Sequence, residues 1–204
     1  MFLNEQEKEK IRNAIREAEL QTSGEIVTVI ARSADDYFFI PALWAGFLAL
    51  LTPSLLMLAP VTIDYLLMYT IQIGVFITAA LLFRWTPLKL ALVPRAVKYR
   101  RASRLAHEQF VKQGVHRTEK RNGLLLFVAV DERYVEIMAD QGINDCVPVN
   151  AWESVVADFV DRVKKKQITD GFIGAISECS RLLQTHFPGQ VDDVNELPNH
   201  LIEI

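Results

Sequence analysis

Two long stretches without a charge constrain this chain more than any other feature. From Tyr37 to Ile63 no residue is charged, Asp64 interrupts, and Tyr65 to Phe83 is again uncharged. A helix needs about 20 apolar residues to cross the hydrocarbon core of a bilayer. Segments 37–57 and 65–85 each reach that length, and Pro53 and Pro60 favour a turn between them. Tyr37, Trp44, Tyr65, Tyr69 and Trp85 include aromatics near the segment ends, where amphipathic rings prefer the interface. In a chain of 204 residues with a mean hydropathy of +0.16, two such runs read as a transmembrane hairpin rather than a buried core hairpin.

Basic residues set the expected orientation. Arg84, Lys89, Arg95, Lys98, Arg100, Arg101 and Arg104 follow the second segment with no acidic residue among them, and the connecting loop has no Lys or Arg. The positive-inside bias predicts both flanks, and so both termini, in the cytoplasm. The same run would lie near anionic headgroups, each charge worth about 1 kcal/mol close to the surface. It reads as a topology signal, with headgroup contact by Arg100 and Arg101 as the sharper alternative. The charged, amphipathic N-terminus is not a cleavable signal peptide. A formal net charge of -3 and the lack of any nucleic-acid motif predict no nucleic-acid partner.

The soluble part comes in two pieces. Residues 4–20 read as a helix with Asn4 and Glu7 as a capping box, and 24–31 reads as a strand rich in β-branched residues. After the hairpin, Pro94 opens a helix that ends near Gly114. Residues 123–130 form a continuous apolar run, as a central strand covered on both faces requires, and 131–133 turn it into an alternating strand over 134–139. A helix over 150–166 carries Trp152, Val155, Val156, Phe159, Val160 and Val163 at helical spacing, with Asn150 and Glu153 as a second expected capping box. Asp170 is expected to cap a last helix striped by Phe172, Ile176, Cys179 and Leu183, and the tail from Gln190 to Ile204 to be loosely ordered. Neither half closes a core alone, because the strand at 24–31 needs the sheet supplied by 123–139. The expected organisation is a first part of one α/β domain over 1–36, a hairpin insertion over 37–85, the second part over 86–190 and a tail over 191–204. Cys146 and Cys179 are far apart in sequence with no metal spacing. A disulfide is open on sequence alone, and two free thiols in a reducing compartment are the expectation.

The ordered set "TSGEIVTVI", "RNGLLLFVAVDERYVEIMADQGI", the Trp152 helix, "DGFIGAI" and "LLQTHFP" resembles the TPM domain over roughly 1–33 and 95–190. The resemblance implies a small α/β sandwich, a sheet flanked by helices, which agrees with the reading of the residues themselves. Family members are described as weak acid phosphatases, divalent-metal binders, photosystem repair factors and receptor accessory proteins. Many resemble secreted or lumenal domains with one anchor. This chain departs from them by its inserted hairpin and by charges that predict a cytoplasmic domain on a bacterial inner membrane. The family's stretch after the second hairpin strand is often glycine-rich with a glutamate, whereas here it is "MADQGINDCVP".

The resemblance implies Ca²⁺ or Mg²⁺ as a cofactor, with Glu25, Asp131, Asp140 and Asp145 as the oxygen donors and Glu132 and Asn144 nearby. The residues alone read more simply as turn and capping groups. "HRTEKRNG" gathers His116, Arg117, Lys120 and Arg121, donors for a phosphate or headgroup or a solvated loop before a strand, with Thr118 and Arg121 closing that loop. There is no GxSxG, P-loop or HExxH motif, and no catalytic set is assigned. Three functions follow in order. The first is a membrane-tethered module that docks on integral membrane proteins in their assembly or quality control. The second is a divalent-metal-dependent phosphatase at the membrane surface, resting on Asp140, Glu25 and Arg121 and requiring Glu25, Asp131 and Asp140 in one cleft. The third is headgroup recognition by 95–104.

Overall fold

The computed structural model describes residues 3–58, 64–84, 86–148, 150–189, 196–197 and 200–204. The chain divides into two compact units, one made of residues 1–34 and 101–204 and the other of 35–100.

The first unit is the α/β domain. Helix α1 (Glu5–Glu19) starts on the expected capping box, in which the Asn4 side chain accepts from Glu7 N and the Glu7 side chain accepts from Asn4 N. Strand β1 (Glu25–Ala31) pairs in parallel with β2 (Gly123–Ala129), from Glu25 opposite Gly123 to Ala31 opposite Ala129. β2 pairs antiparallel with β3 (Tyr134–Ala139), the hairpin expected from its turn residues. Both β1 and β2 are buried along their whole length, as strands with helices on both faces must be.

Alternation along the strands sorts the core into two layers. Ile26, Ile30, Leu124, Leu126 and Val128 pack with α1, α7 (Ala151–Lys164) and α8 (Ile168–Gln184). Val27, Val29, Leu125 and Phe127 pack with Ala102 and Ala106 of α5 (Arg95–Lys112), and Leu105 and Phe110 lie against the same cluster. The expected stripe of α8 is buried at Phe172, Ile176, Cys179 and Leu183, and Phe172 meets Phe159 of α7 edge-on with ring centroids 5.1 Å apart. α5 is terminated just beyond Lys112 by Gly114, whose φ of +74° is the left-handed conformation of a glycine terminator.

Three local expectations are corrected. The tail is not loose at its end, because β4 (Leu201–Glu203) adds a parallel strand to β1, giving the order β3-β2-β1-β4. Asn150 does not cap α7 with its side chain: Ala151 N donates to Pro148 O, and Asn150 already has helical dihedrals, whereas a cap needs extended ones. Asp170 is not the cap of α8, which begins two residues earlier, so its carboxylate stands in the first turn, where the helix dipole favours it. Pro60, Trp85 and residues 190–195 of the expected tail lie outside the described residues.

The second unit contains α2 (Phe39–Met57) and α3 (Tyr65–Phe83), packed together as a helical hairpin, each 19 residues and apolar enough to cross a membrane. Pro53 does not end α2 but lies inside it. Such a proline is tolerated in an apolar helix where nearby hydroxyls and neighbouring turns absorb the freed carbonyl. Tyr37 is not an interface aromatic. It is fully buried with φ +48° and packs with Ile40 and Val93 at the root of the hairpin, where α4 (Thr86–Leu92) follows α3. Trp44, Tyr65 and Tyr69 are exposed on the hairpin.

Candidate functional site

The registers of the sheet bring three loops to one edge. β1 and β2 start there and β3 ends there, so Glu25, Asn122 and Asp140 become neighbours along the edge. The loops are laced by their backbones: Asp140 N donates to Gly123 O at 2.9 Å, and Gly142 N donates to Arg121 O at 3.0 Å. Glycine is required at both crossings. A Cβ on Gly123 would stand 2.2 Å from Val115 O, and one on Gly142 would stand 2.7 Å from the carbonyls of Lys120 and Arg121.

Thr118 closes the loop, as expected. Its backbone carbonyl accepts from Arg121 N at 3.0 Å and its buried hydroxyl from Asn122 N at 3.1 Å. Arg121 consequently takes φ +52°, a left-handed conformation that a side chain adopts only when its surroundings hold it. Asn122, almost fully buried, donates from Nδ2 to Ser23 O, and its carbonyl accepts from Glu25 N. Its Oδ1 is buried with no donor among the described residues.

Charge at this edge is paired rather than free. Arg121 Nε lies 3.3 Å from Asp140 Oδ2, with 56% of the Arg121 side chain exposed and 6% of that of Asp140. Asp140 also caps the short helix α6 (Gln141–Asn144), accepting from Gln141 N at 2.7 Å. Glu25 is buried and accepts from Glu196 N at 3.1 Å. The arrangement is a half-exposed guanidinium held over a buried carboxylate. It offers an anion a fixed cation with donors to spare, since guanidinium carries five.

Glu25, Asp140 and Arg121 therefore share one edge. Asp131 does not join them. It follows the far end of β2, where its N–H donates to Arg32 O, about 20 Å away along a seven-residue strand. Glu132 is buried at that far end too, accepting from Ser33 Oγ and Ala34 N. Asp145 is exposed at the other end of α6. Among the described residues, no group of three or more His, Cys, Asp or Glu converges to hold a metal ion. Arg100 is exposed and Arg101 half-buried on α5, apart in sequence and element from Arg121. Asn122 escaped sequence reasoning. Its one signal is a polar amide placed directly before an uninterrupted apolar strand and a glycine.

Residues 87–182 match the family model of the TPM domain. The chain carries a TPM domain. The match begins at α4 and ends within α8, so the edge built from Arg121, Asn122 and Asp140 lies inside it. Among solved structures, the NMR structure of the BA42 protein from the psychrophilic bacterium Bizionia argentinensis is similar. The two share 22% identity and a TM-score of 0.63, over 100% of this chain and 97% of that one, a likeness of fold. No curated protein matches the chain. The match agrees with the ordered motifs that lie within 87–182, and the small four-stranded sheet flanked by helices agrees with the sandwich they implied.

Proposed function

We propose that this TPM-domain protein is a two-pass protein of a bacterial inner membrane. Its α/β domain and both termini are cytoplasmic, and the domain docks on integral membrane proteins during their assembly or quality control. The observation that carries this reading is the surface of the hairpin. Only 28% of the apolar window of α2 and 6% of that of α3 is buried within the protein, leaving side chains such as Phe47, Leu50, Ile73 and Phe76 exposed. A contiguous apolar surface of that size needs a lipid or protein cover. Two polypeptide connections tether the domain to one hairpin, which suits a docking role on membrane proteins.

The exposed Cys146 provides the test, since Cys179 is buried. In carbonate-washed membranes the protein stays in the pellet. A membrane-impermeant maleimide labels Cys146 in inverted vesicles and leaves it unlabelled in intact spheroplasts. Labelling in spheroplasts would reverse the orientation, and release by carbonate would remove the hairpin from the bilayer.

The second reading is a divalent-metal-dependent phosphatase at the membrane surface. Its support is the edge where Arg121, Asp140 and Glu25 meet, with Arg121 as the anion contact and Ca²⁺ or Mg²⁺ drawn to the carboxylates. The donors already bound to Glu25 and Asp140, and the position of Asp131, favour the docking role. Calorimetric titration of the detergent-purified protein with either ion decides between them: saturable binding lost in Asp140→Ala favours the phosphatase, and silence to millimolar metal favours docking.

A further inference from the structure

The root of the hairpin carries a half-open cleft of about 550 Å³, within the size range of ligand sites. Its wall is apolar, with Ala42 from α2 and Ala80 and Leu81 from α3, and its rim carries Arg84, Lys89 and Asp36. The interaction role proposed above makes no use of it.

The two cations stand on a fixed frame. Arg84 directly follows the last residue of α3, and Lys89 lies on α4. Lys89 Nζ donates to the backbone carbonyl of Asp36 at 2.9 Å, a bond across 53 residues that ties α4 to the start of the hairpin. That bond uses one of three ammonium hydrogens and leaves two. The buried Tyr37, with Ile40 and Val93, packs the same junction. Among the described residues neither Arg84 nor Lys89 forms an ion pair, so the rim holds two cations against one carboxylate.

We propose that this cleft is a binding site for one anionic membrane phospholipid. The phosphodiester sits between Arg84 and Lys89, and an acyl chain lies along Ala42, Ala80 and Leu81. Two cations at the level where a hairpin leaves the hydrocarbon match a headgroup phosphate in charge and depth. The apolar wall distinguishes a lipid from a free phosphate, which has no use for it. The inference rests on the reading that the hairpin is inserted in a membrane.

The test uses the full-length protein, delipidated in detergent and followed by native mass spectrometry. It is titrated with phosphatidylglycerol, with phosphatidylcholine of the same acyl chains, and with inorganic phosphate. The wild type retains one phosphatidylglycerol, several-fold more tightly than phosphatidylcholine. Arg84→Gln and Lys89→Gln each weaken it about fivefold, the equivalent of about 1 kcal/mol per charge. Ala80→Leu, which fills the apolar wall without touching charge, weakens the lipid as well, and Arg100→Gln leaves it unchanged. Equal retention of the two lipids, indifference to Arg84→Gln and Lys89→Gln, or competition by phosphate unaffected by Ala80→Leu overturns the site. Carbonate extraction run in parallel separates the two failures. A protein that stays in the membrane but shows no selectivity loses only the lipid site, and one that is extracted loses the site and the membrane reading together.

Discussion

Arg121 Nε stands 3.3 Å from Asp140 Oδ2, and the two residues differ almost tenfold in exposure. The pair is therefore asymmetric. Asp140 works on two fronts, as partner of Arg121 and as the cap that accepts from Gln141 N. Arg121 is solvated over most of its length, so the Coulombic part of the pair is worth at most about 1 kcal/mol. Asp140→Asn keeps an acceptor for Gln141 N and loses only the charge partner, so it lowers stability by about 1 kcal/mol or less. Asp140→Ala loses the cap as well, adding about 1 kcal/mol. Thermal unfolding of both variants in detergent checks the order. Equal losses would mean that the cap contributes nothing.

Gly123 is the most restrictive glycine in the α/β domain. A Cβ there meets the backbone oxygen of Val115 at 2.2 Å, and backbone cannot move aside as a side chain can. Gly123→Ala is expected to cost about 3 kcal/mol, the upper end for overpacking. Gly24→Ala meets side chains alone, Leu183 at 2.9 Å and Thr22 Oγ1 at 3.4 Å, and costs less, and Gly46→Ala meets nothing within 4 Å. Unfolding midpoints that fall in this order confirm that the close approach, not helix or strand propensity, sets the requirement.

What the sequence made legible was periodic. The stripes of α7 and α8, the apolar run of β2 and the turn into β3 depend on local spacing, and each appears where that spacing put it. β4 was not legible because three residues, Leu201–Glu203, carry no period, and they become a strand only because β1 offers an open edge. The candidate site was half legible. Glu25, Arg121 and Asp140 read as strand-end polar groups, and strand directions decide which end each occupies. A parallel β1–β2 pair with an antiparallel β3 collects those three at one edge and sends Asp131 to the other. Asn122 was hard to read because its side chain bonds to Ser23 O, 99 residues away, and only its place before Gly123 and the apolar strand marks it locally.

β4 supplies its own prediction. Leu201 is buried in the cluster shared by α1, α7 and α8, while Glu203 pairs with Lys8 at 3.4 Å. Leu201→Ala should cost about 2 kcal/mol, the low end for a core leucine at the rim of a sheet. Glu203→Gln, which touches a partly exposed pair, should cost less than Leu201→Ala. Amide exchange along β1 gives a direct reading: in Leu201→Ala, the amides facing β4 lose protection before those facing β2.

The two thiols differ in environment. Cys146 is exposed, whereas Cys179 is fully buried and burial, aided by the Glu178 charge, pushes its thiol from 9.0 up to about 12. A thiol reagent at neutral pH therefore modifies one cysteine in the folded protein and two after denaturation. The raised value carries a definite sign. The folded state holds the proton that the unfolded state releases, so this contribution is intact below pH 9 and is lost as pH climbs from about 9 to 12. Cys179→Ala removes that dependence, and its stability should fall less steeply across this window than that of the wild type.

The hairpin can be tested at the residue that lipid would cover most fully. Ile73 lies near the middle of α3 and is 59% exposed. In water, an exposed isoleucine replaced by aspartate is nearly neutral or favourable, because no core contact is lost. In a bilayer the same change places a carboxylate at the centre of the hydrocarbon, at about 3 kcal/mol on insertion scales, a shift of roughly a hundredfold. Ile73→Asp should thus leave the α/β domain folded while moving the protein out of the carbonate-resistant membrane fraction. Unchanged membrane retention would mean that α3 packs its middle against protein, and the search would turn to the partner that covers it.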